Sequence, residues 1–161
     1  MPEKIKDVKP PTGINRFLFR APIWMYKLHL GGLLSGRFLL LNHIGRKSGQ
    51  PRQVVLEVVG HDKARNIYFA ASGFGKQSQW YKKILHTPEV SIQVGWKKWD
   101  VTAVALPLEQ SGQKMVDYAH MHAKAAKNLM QFCGFKVDGS DEDYFIMGRD
   151  HIPFIAFEPR Q

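Results

Sequence analysis

The sequence predicts a small α+β protein built on a mainly antiparallel β-barrel. Three observations carry that reading. Six short runs, at about 37–43, 53–60, 66–72, 90–96, 98–106 and 152–157, read as strands, most of them rich in Val, Ile, Leu, Phe or Tyr. Only a few helical segments separate them, and the alternating β-α pattern of a parallel sheet is absent. Finally, 161 residues, 44% of them apolar, suffice for one sizeable core, and closing the sheet hides its edges.

Taken in order, residues 1–13 are polar, rich in Lys and Pro, and read as a flexible arm, with Pro10-Pro11 blocking helix. Asn15 is a candidate N-cap for a helix to about Leu30, although Pro22 is also suited to start a second one. This stretch sets Phe17, Leu18, Phe19, Ile23, Trp24 and Leu28 beside Arg16, Arg20 and Lys27. Such a basic amphipathic helix either lies on an anionic membrane surface or packs on its own barrel. Gly31, Gly32 and Gly36 loosen the chain before the first strand. The tight basic turn Gly45-Arg46-Lys47-Ser48-Gly49-Gln50-Pro51-Arg52 leads into the second strand. His61 to Asn66 is a polar hairpin connection into the third. Gln77 to His86 is a short helix closed by Thr87-Pro88. Two more strands follow. Glu109 to Phe132 is mostly helical, helped by Ala119, Ala123, Ala125 and Ala126, and Gly134 ends it. Asp141 to Met147 is a further short helix. Ile152 to Phe157 is the last strand, with Pro153 placing its start at an edge. No repeat or linker divides residues 14–161, so they are expected to form a single domain.

The charge balance narrows the partners. With 23 Lys+Arg against 14 Asp+Glu, the net charge is +9, which suits an anionic cofactor, nucleic acid or membrane surface. The single cysteine, Cys133, forms no intrachain disulfide and reads as a small core residue. No signal-peptide pattern opens the chain, and no segment approaches the ~18 apolar residues of a spanning helix, so a cytoplasmic location is expected.

The basic turn is the first candidate site. Two glycines let the backbone approach a ligand, and Arg46, Lys47 and Arg52 bring three cations beside the Ser48 hydroxyl. That is an anion site of the phosphate-binding kind, or a solvated basic hairpin. The second candidate is Ala70-Ala71-Ser72-Gly73 running through Gln79 to Trp80-Tyr81. Its small residues leave room for a flat ligand, its helix start offers N–H groups, and the aromatics form either a wall or part of the core. Walker A and dinucleotide fingerprints both fail: Arg37-Phe38 follows Gly36 where Lys-Ser/Thr is needed, and Ser78 stands where a third glycine would be. His120-Met121-His122 do not share a helical face, so no metal site is expected. Trp96-Lys97-Lys98-Trp99 alternates cations with aromatics, as a base-stacking patch or as a hairpin tip. Without an accompanying nucleic-acid motif, no nucleic-acid partner is expected.

Three segments, in order, resemble the deazaflavin-dependent nitroreductase and quinone reductase family. Leu39 to Arg52 resembles its cofactor-phosphate loop, Ala70 to Tyr81 with Pro88-Glu89-Val90 its second cofactor loop, and Ile152 to Pro159 its closing strand. The resemblance spans about residues 14–159. It implies a split β-barrel that binds coenzyme F-420, with FMN as the alternative because related barrels bind it. Arg46, Lys47, Ser48, Gly49, Pro51 and Arg52 would then hold the phosphate and its neighbours. Ala70, Ala71, Ser72 and Gly73 would line the deazaflavin edge, Gln79 would also contact the cofactor, and Trp80 would close the pocket. Departures are His43-Ile44 for Thr-Thr, Ser78-Gln79 for Asn-Pro, and Asp141 for one of two pocket tyrosines; the other falls at Tyr144. The implied activity is hydride transfer to a small acceptor such as a quinone, enone or nitro compound, with Tyr144 as proton donor or pocket wall. A monomer or homodimer is expected, and the basic amphipathic stretch 14–30 is the candidate for a peripheral membrane contact. A non-catalytic barrel that carries a lipophilic ligand is the reading from another class.

Overall fold

The computed structural model describes residues 2–5, 38–44, 50–72, 75 and 78–160. The helix expected over residues 15–30 lies outside these, as do Arg46, Lys47, Ser48, Gly49 and Gly73. The strands are β1 (Glu3–Lys4), β2 (Phe38–Ile44), β3 (Pro51–Asp62), β4 (Ile67–Ala71), β5 (Glu89–Val94), β6 (Lys97–Ala105), β7 (Phe135–Lys136) and β8 (Phe154–Pro159). The helices are α1 (Gln79–His86), α2 (Leu108–Met121), α3 (Ala123–Phe132) and α4 (Asp141–Ile146), the last running into a π-helical turn at Met147–His151.

Six strands close into an antiparallel barrel in the order β2-β3-β4-β8-β6-β5. This is the split-barrel fold that the sequence predicts. The chain packs as two compact units. One takes Pro11–Ala70, Gln79–Val104 and Ala156–Gln161, and so holds most of the barrel together with α1. The other takes Met1–Pro10, Ala71–Ser78 and Ala105–Ile155, with α2, α3, α4, the π-turn and the β1/β7 pair.

In the barrel unit, register and burial agree. Leu39 faces Leu56, Leu41 faces Val54 and Ile92, and Val90 faces Val101, so alternate residues fill the interior. β2 departs from simple alternation because Leu40 is also buried. α1 packs against β2, so that strand is covered on both faces and reads as an unbroken apolar run. β3 and β4 pair from Val58↔Ala70 to Asp62↔Ile67, with a register shift between Val58 and Gly60. The hairpin that joins them is held by Asp62, whose carboxylate accepts from the Ala64 and Arg65 N–H groups.

In the second unit α2 is central, packing on α3, α4 and the π-turn. Its buried face is Ser111, Gly112, Met115, Val116, Tyr118 and Ala119. Gly112 and Gly148 allow a close crossing. A Cβ on Gly148 would collide with the Ser111 carbonyl and stand 2.9 Å from the Gly112 Cα.

Four expectations shift. The single helix over 109–132 is two, because His122 leaves helical geometry at φ −139°, ψ 63°. The helix over 141–147 ends at Ile146 and widens into the π-turn. The last strand begins at Phe154, because the Ile152 N–H is spent on the Met147 carbonyl and Pro153 has none to give. Within the expected N-terminal arm, Glu3 and Lys4 pair antiparallel with Lys136 and Phe135.

Candidate active site

The first candidate site sits on the β2/β3 hairpin. Pairing runs to Ile44↔Pro51, so residues 45–50 form the connection. Arg52 is exposed at the head of β3, opposite His43, which is only 7% exposed. Arg52 shares its strand face with Val54 and Leu56, so one cation caps an otherwise apolar row. On the other face Gln53 donates from Nε2 to Asn42 Oδ1 at 2.8 Å, directly across the ladder. That bond braces the base of the turn. Pro51 is exposed, where the lack of an N–H costs nothing.

The second candidate begins at the end of β4. Ala70 and Ser72 are fully buried and Ala71 is half-buried. The Ser72 N–H donates to the Pro153 carbonyl at 3.0 Å, and its hydroxyl donates to the Gly75 carbonyl at 2.6 Å. Gly75 returns a bond from its N–H to the Ser72 carbonyl at 2.9 Å. Gly75 sits at φ +74°, and a Cβ there would stand 3.2 Å from the His151 carbonyl. The Ser72 hydroxyl is thus spent within its own loop, which fixes the path from β4 rather than presenting a donor.

α1 follows. Gln79 is exposed at its first position, where helical N–H groups have no intrahelical acceptor. Lys83 and His86 lie in its last turn and its first turn carries no acid, so the helix itself places no negative charge at the positive N-terminal end of its dipole. The expected aromatic pair divides. Tyr81 is buried beside Ile84, and burial raises its pKa, whereas Trp80 stays half-exposed. Their rings meet edge to face at 6.1 Å.

Tyr144 lies in the second unit, on α4, and is 6% exposed. Burial pushes its phenol above the ordinary range, so it stays protonated at neutral pH. Ser140 caps this helix by accepting from the Asp143 N–H, and the buried Asp143 carboxylate accepts from the Asp138 N–H. Asp141, which replaces the second pocket tyrosine, is exposed and sits 2.6 Å from His120 Nε2. Sequence reasoning missed Ser111. Its buried hydroxyl accepts from the Phe154 N–H at 3.0 Å and is 3.4 Å from the Ile152 carbonyl. A serine in the apolar stripe of α2 is the one signal that marks it.

Pro51, Arg52, Ala70, Gln79 and Trp80 therefore fall in the barrel unit, and Ala71, Ser72 and Tyr144 in the other. Among the described residues no three His, Cys, Asp or Glu side chains gather to hold a metal. Among them, too, no helix is long and apolar enough to cross a membrane.

A family model described as F420H(2)-dependent quinone reductase matches residues 18–130. Among solved structures, one described as an F420-H2 dependent reductase aligns at 23% identity and TM-score 0.51, over 76% of this chain and 94% of that one. A pyridoxamine 5'-phosphate oxidase-related, FMN-binding protein from Nostoc punctiforme aligns at 16% and 0.54, over 87% and 80%. The haem storage protein HutZ from Vibrio cholerae aligns at 12% and 0.51, over 84% and 89%. At these identities the three structures bear on the fold alone.

Proposed function

Because the chain belongs to the F420H(2)-dependent quinone reductase family, we propose that it moves a hydride from reduced F-420 to a quinone or another small conjugated acceptor, an enone or a nitro compound. It is an oxidoreductase, and its cofactor is F-420. The observation that carries the reading is the family match over residues 18–130, which includes both candidate loops.

The described residues fit an anionic, flat cofactor. Arg52 is an exposed cation at the mouth of the β2/β3 turn, and the end of β4 is made of small side chains. Reduced F-420, when bound, supplies the hydride. Arg46, Lys47, Ser48, Gly49, Pro51 and Arg52 would hold its phosphate through charge-assisted bonds and close backbone approach. Ala70, Ala71, Ser72 and Gly73 would leave the ring edge unobstructed. Gln79 would offer the N–H of the α1 start, and Trp80 would cover the ring. Tyr144 would hold a proton at its phenolic oxygen for the acceptor. Residues 14–30 would add a peripheral membrane contact, supported by their aromatic and basic side chains.

The test is equilibrium titration with F-420 and FMN side by side. We expect the parent to prefer F-420. Arg46→Ala with Lys47→Ala should lose roughly a hundredfold or more, since each charge-assisted contact contributes about 1.5–3 kcal/mol. Unchanged affinity in a variant with intact circular dichroism, or a preference for FMN, overturns the assignment.

A further inference from the structure

The barrel end that the cofactor turn does not occupy carries a surface of its own. β3 and β5 both pair antiparallel with β2, so they run in the same direction and finish at the same end of the barrel. The β2/β3 connection lies at the opposite end. Two hairpins therefore stand at that end, separated in the closed strand order by β2 on one side and β8 on the other. One is the Lys63–Asn66 turn after β3, and the other is the Gly95-Trp96 turn after β5. Ring contacts join their bases. His61 stacks on Tyr68 at 3.9 Å, and Tyr68 meets Trp99 at 5.7 Å. The Tyr68–Trp99 contact thus ties the two hairpins together at that end of the barrel.

Its composition is uneven. Trp96 stands at a tip and is 69% exposed, and Lys97 and Lys98 beside it are exposed. Lys63 and Arg65 are exposed on the other hairpin, where Arg65 is bridged to Asp62 at 2.9 Å. Lys97 and Lys98 follow the exposed Trp96 directly, and Lys63 is exposed on the other hairpin. We propose that this two-hairpin tip docks on an anionic lipid surface, with Trp96 at the headgroup level and the three lysines on lipid phosphates.

The chemistry favours a bilayer over a nucleic-acid strand. Strand binding uses several open ring faces in succession. Here His61 and Tyr68 cover one another, and the Trp99 indole N–H is buried without an acceptor among the described residues. One exposed indole followed directly by two exposed lysines instead matches an interface where an amphipathic ring sits among anionic headgroups. This inference rests on no part of the cofactor assignment.

Sedimentation with vesicles tests it. The full chain should partition onto phosphatidylglycerol-containing vesicles and not onto pure phosphatidylcholine. Trp96→Ala with Lys97→Gln and Lys98→Gln should reduce that partition by roughly thirtyfold or more, two lysine charges alone contributing that factor. Lys63→Gln with Lys97→Gln, which leaves every ring in place, should reduce it similarly. F-420 affinity should not change in either variant. The proposal is overturned if the parent shows no preference for anionic vesicles. It is also overturned if both variants partition like the parent, which puts the contact elsewhere in the chain. Loss of single-stranded oligonucleotide binding in the variants, with vesicle partition intact, overturns it in favour of nucleic acid.

Discussion

Phe154 donates its backbone N–H to the buried hydroxyl of Ser111, 3.0 Å away, and so fastens the first residue of the closing strand to α2. A β8 amide at this position has no water to turn to. Ser111→Ala should leave it unsatisfied and destabilise the protein by about 1–3 kcal/mol. Urea unfolding checks this, with the loss read as a lower midpoint at unchanged slope. A midpoint equal to the parent's would show that the amide finds another acceptor.

Tyr144→Phe keeps the ring and removes the only proton the side chain can give. If the phenol serves the acceptor, turnover with a quinone should fall roughly tenfold or more, within the usual range of general acid catalysis. F-420 affinity should stay unchanged. Turnover like the parent's would make Tyr144 a packing residue and solvent the proton source.

The protein should lose stability on the alkaline side. Burial pushes the Cys133 thiol up to about 11 from an ordinary 9.0, and raises the Tyr68, Tyr81 and Tyr144 phenols. In each, the fold holds the proton more tightly than the unfolded chain does. This stabilisation is fully present below the unfolded value and disappears as pH rises through the folded one. For Cys133 the loss falls between about 9 and 11. Melting temperatures across that range should decline, and Cys133→Ser should flatten part of the slope. At neutral pH, Cys133 should react slowly with maleimide, being buried and protonated.

Much of the barrel was legible because its strands obey local rules. β5 and β6 alternate, Thr87-Pro88 separates α1 from β5, and His61 to Asn66 forms the hairpin its polarity suggests. What was not legible depends on distant partners. Nothing local marks Glu3-Lys4 as a strand until Lys136 is placed beside it. His122 interrupts an alanine-rich helix with neither Gly nor Pro at the break, and its ring lies against Tyr118 at 5.5 Å. At the candidate site, the cationic turn announces itself by charge. The duty of Ser72 does not, because it depends on Gly75 adopting a positive φ three residues later. Trp80 and Tyr81 look alike in sequence, and only the helical rotation between neighbours sends one inward.

The glycine crossing of α2 on the π-turn bears on how this unit comes apart. With no side chain between Gly112 and Gly148, their backbones touch, and neither element can shift without displacing the other. Partial opening of one would strand the apolar face of its neighbour. The segment from Leu108 to His151 is therefore expected to exchange its core amide hydrogens as a single cooperative block, with α2, α4 and the π-turn sharing one opening free energy.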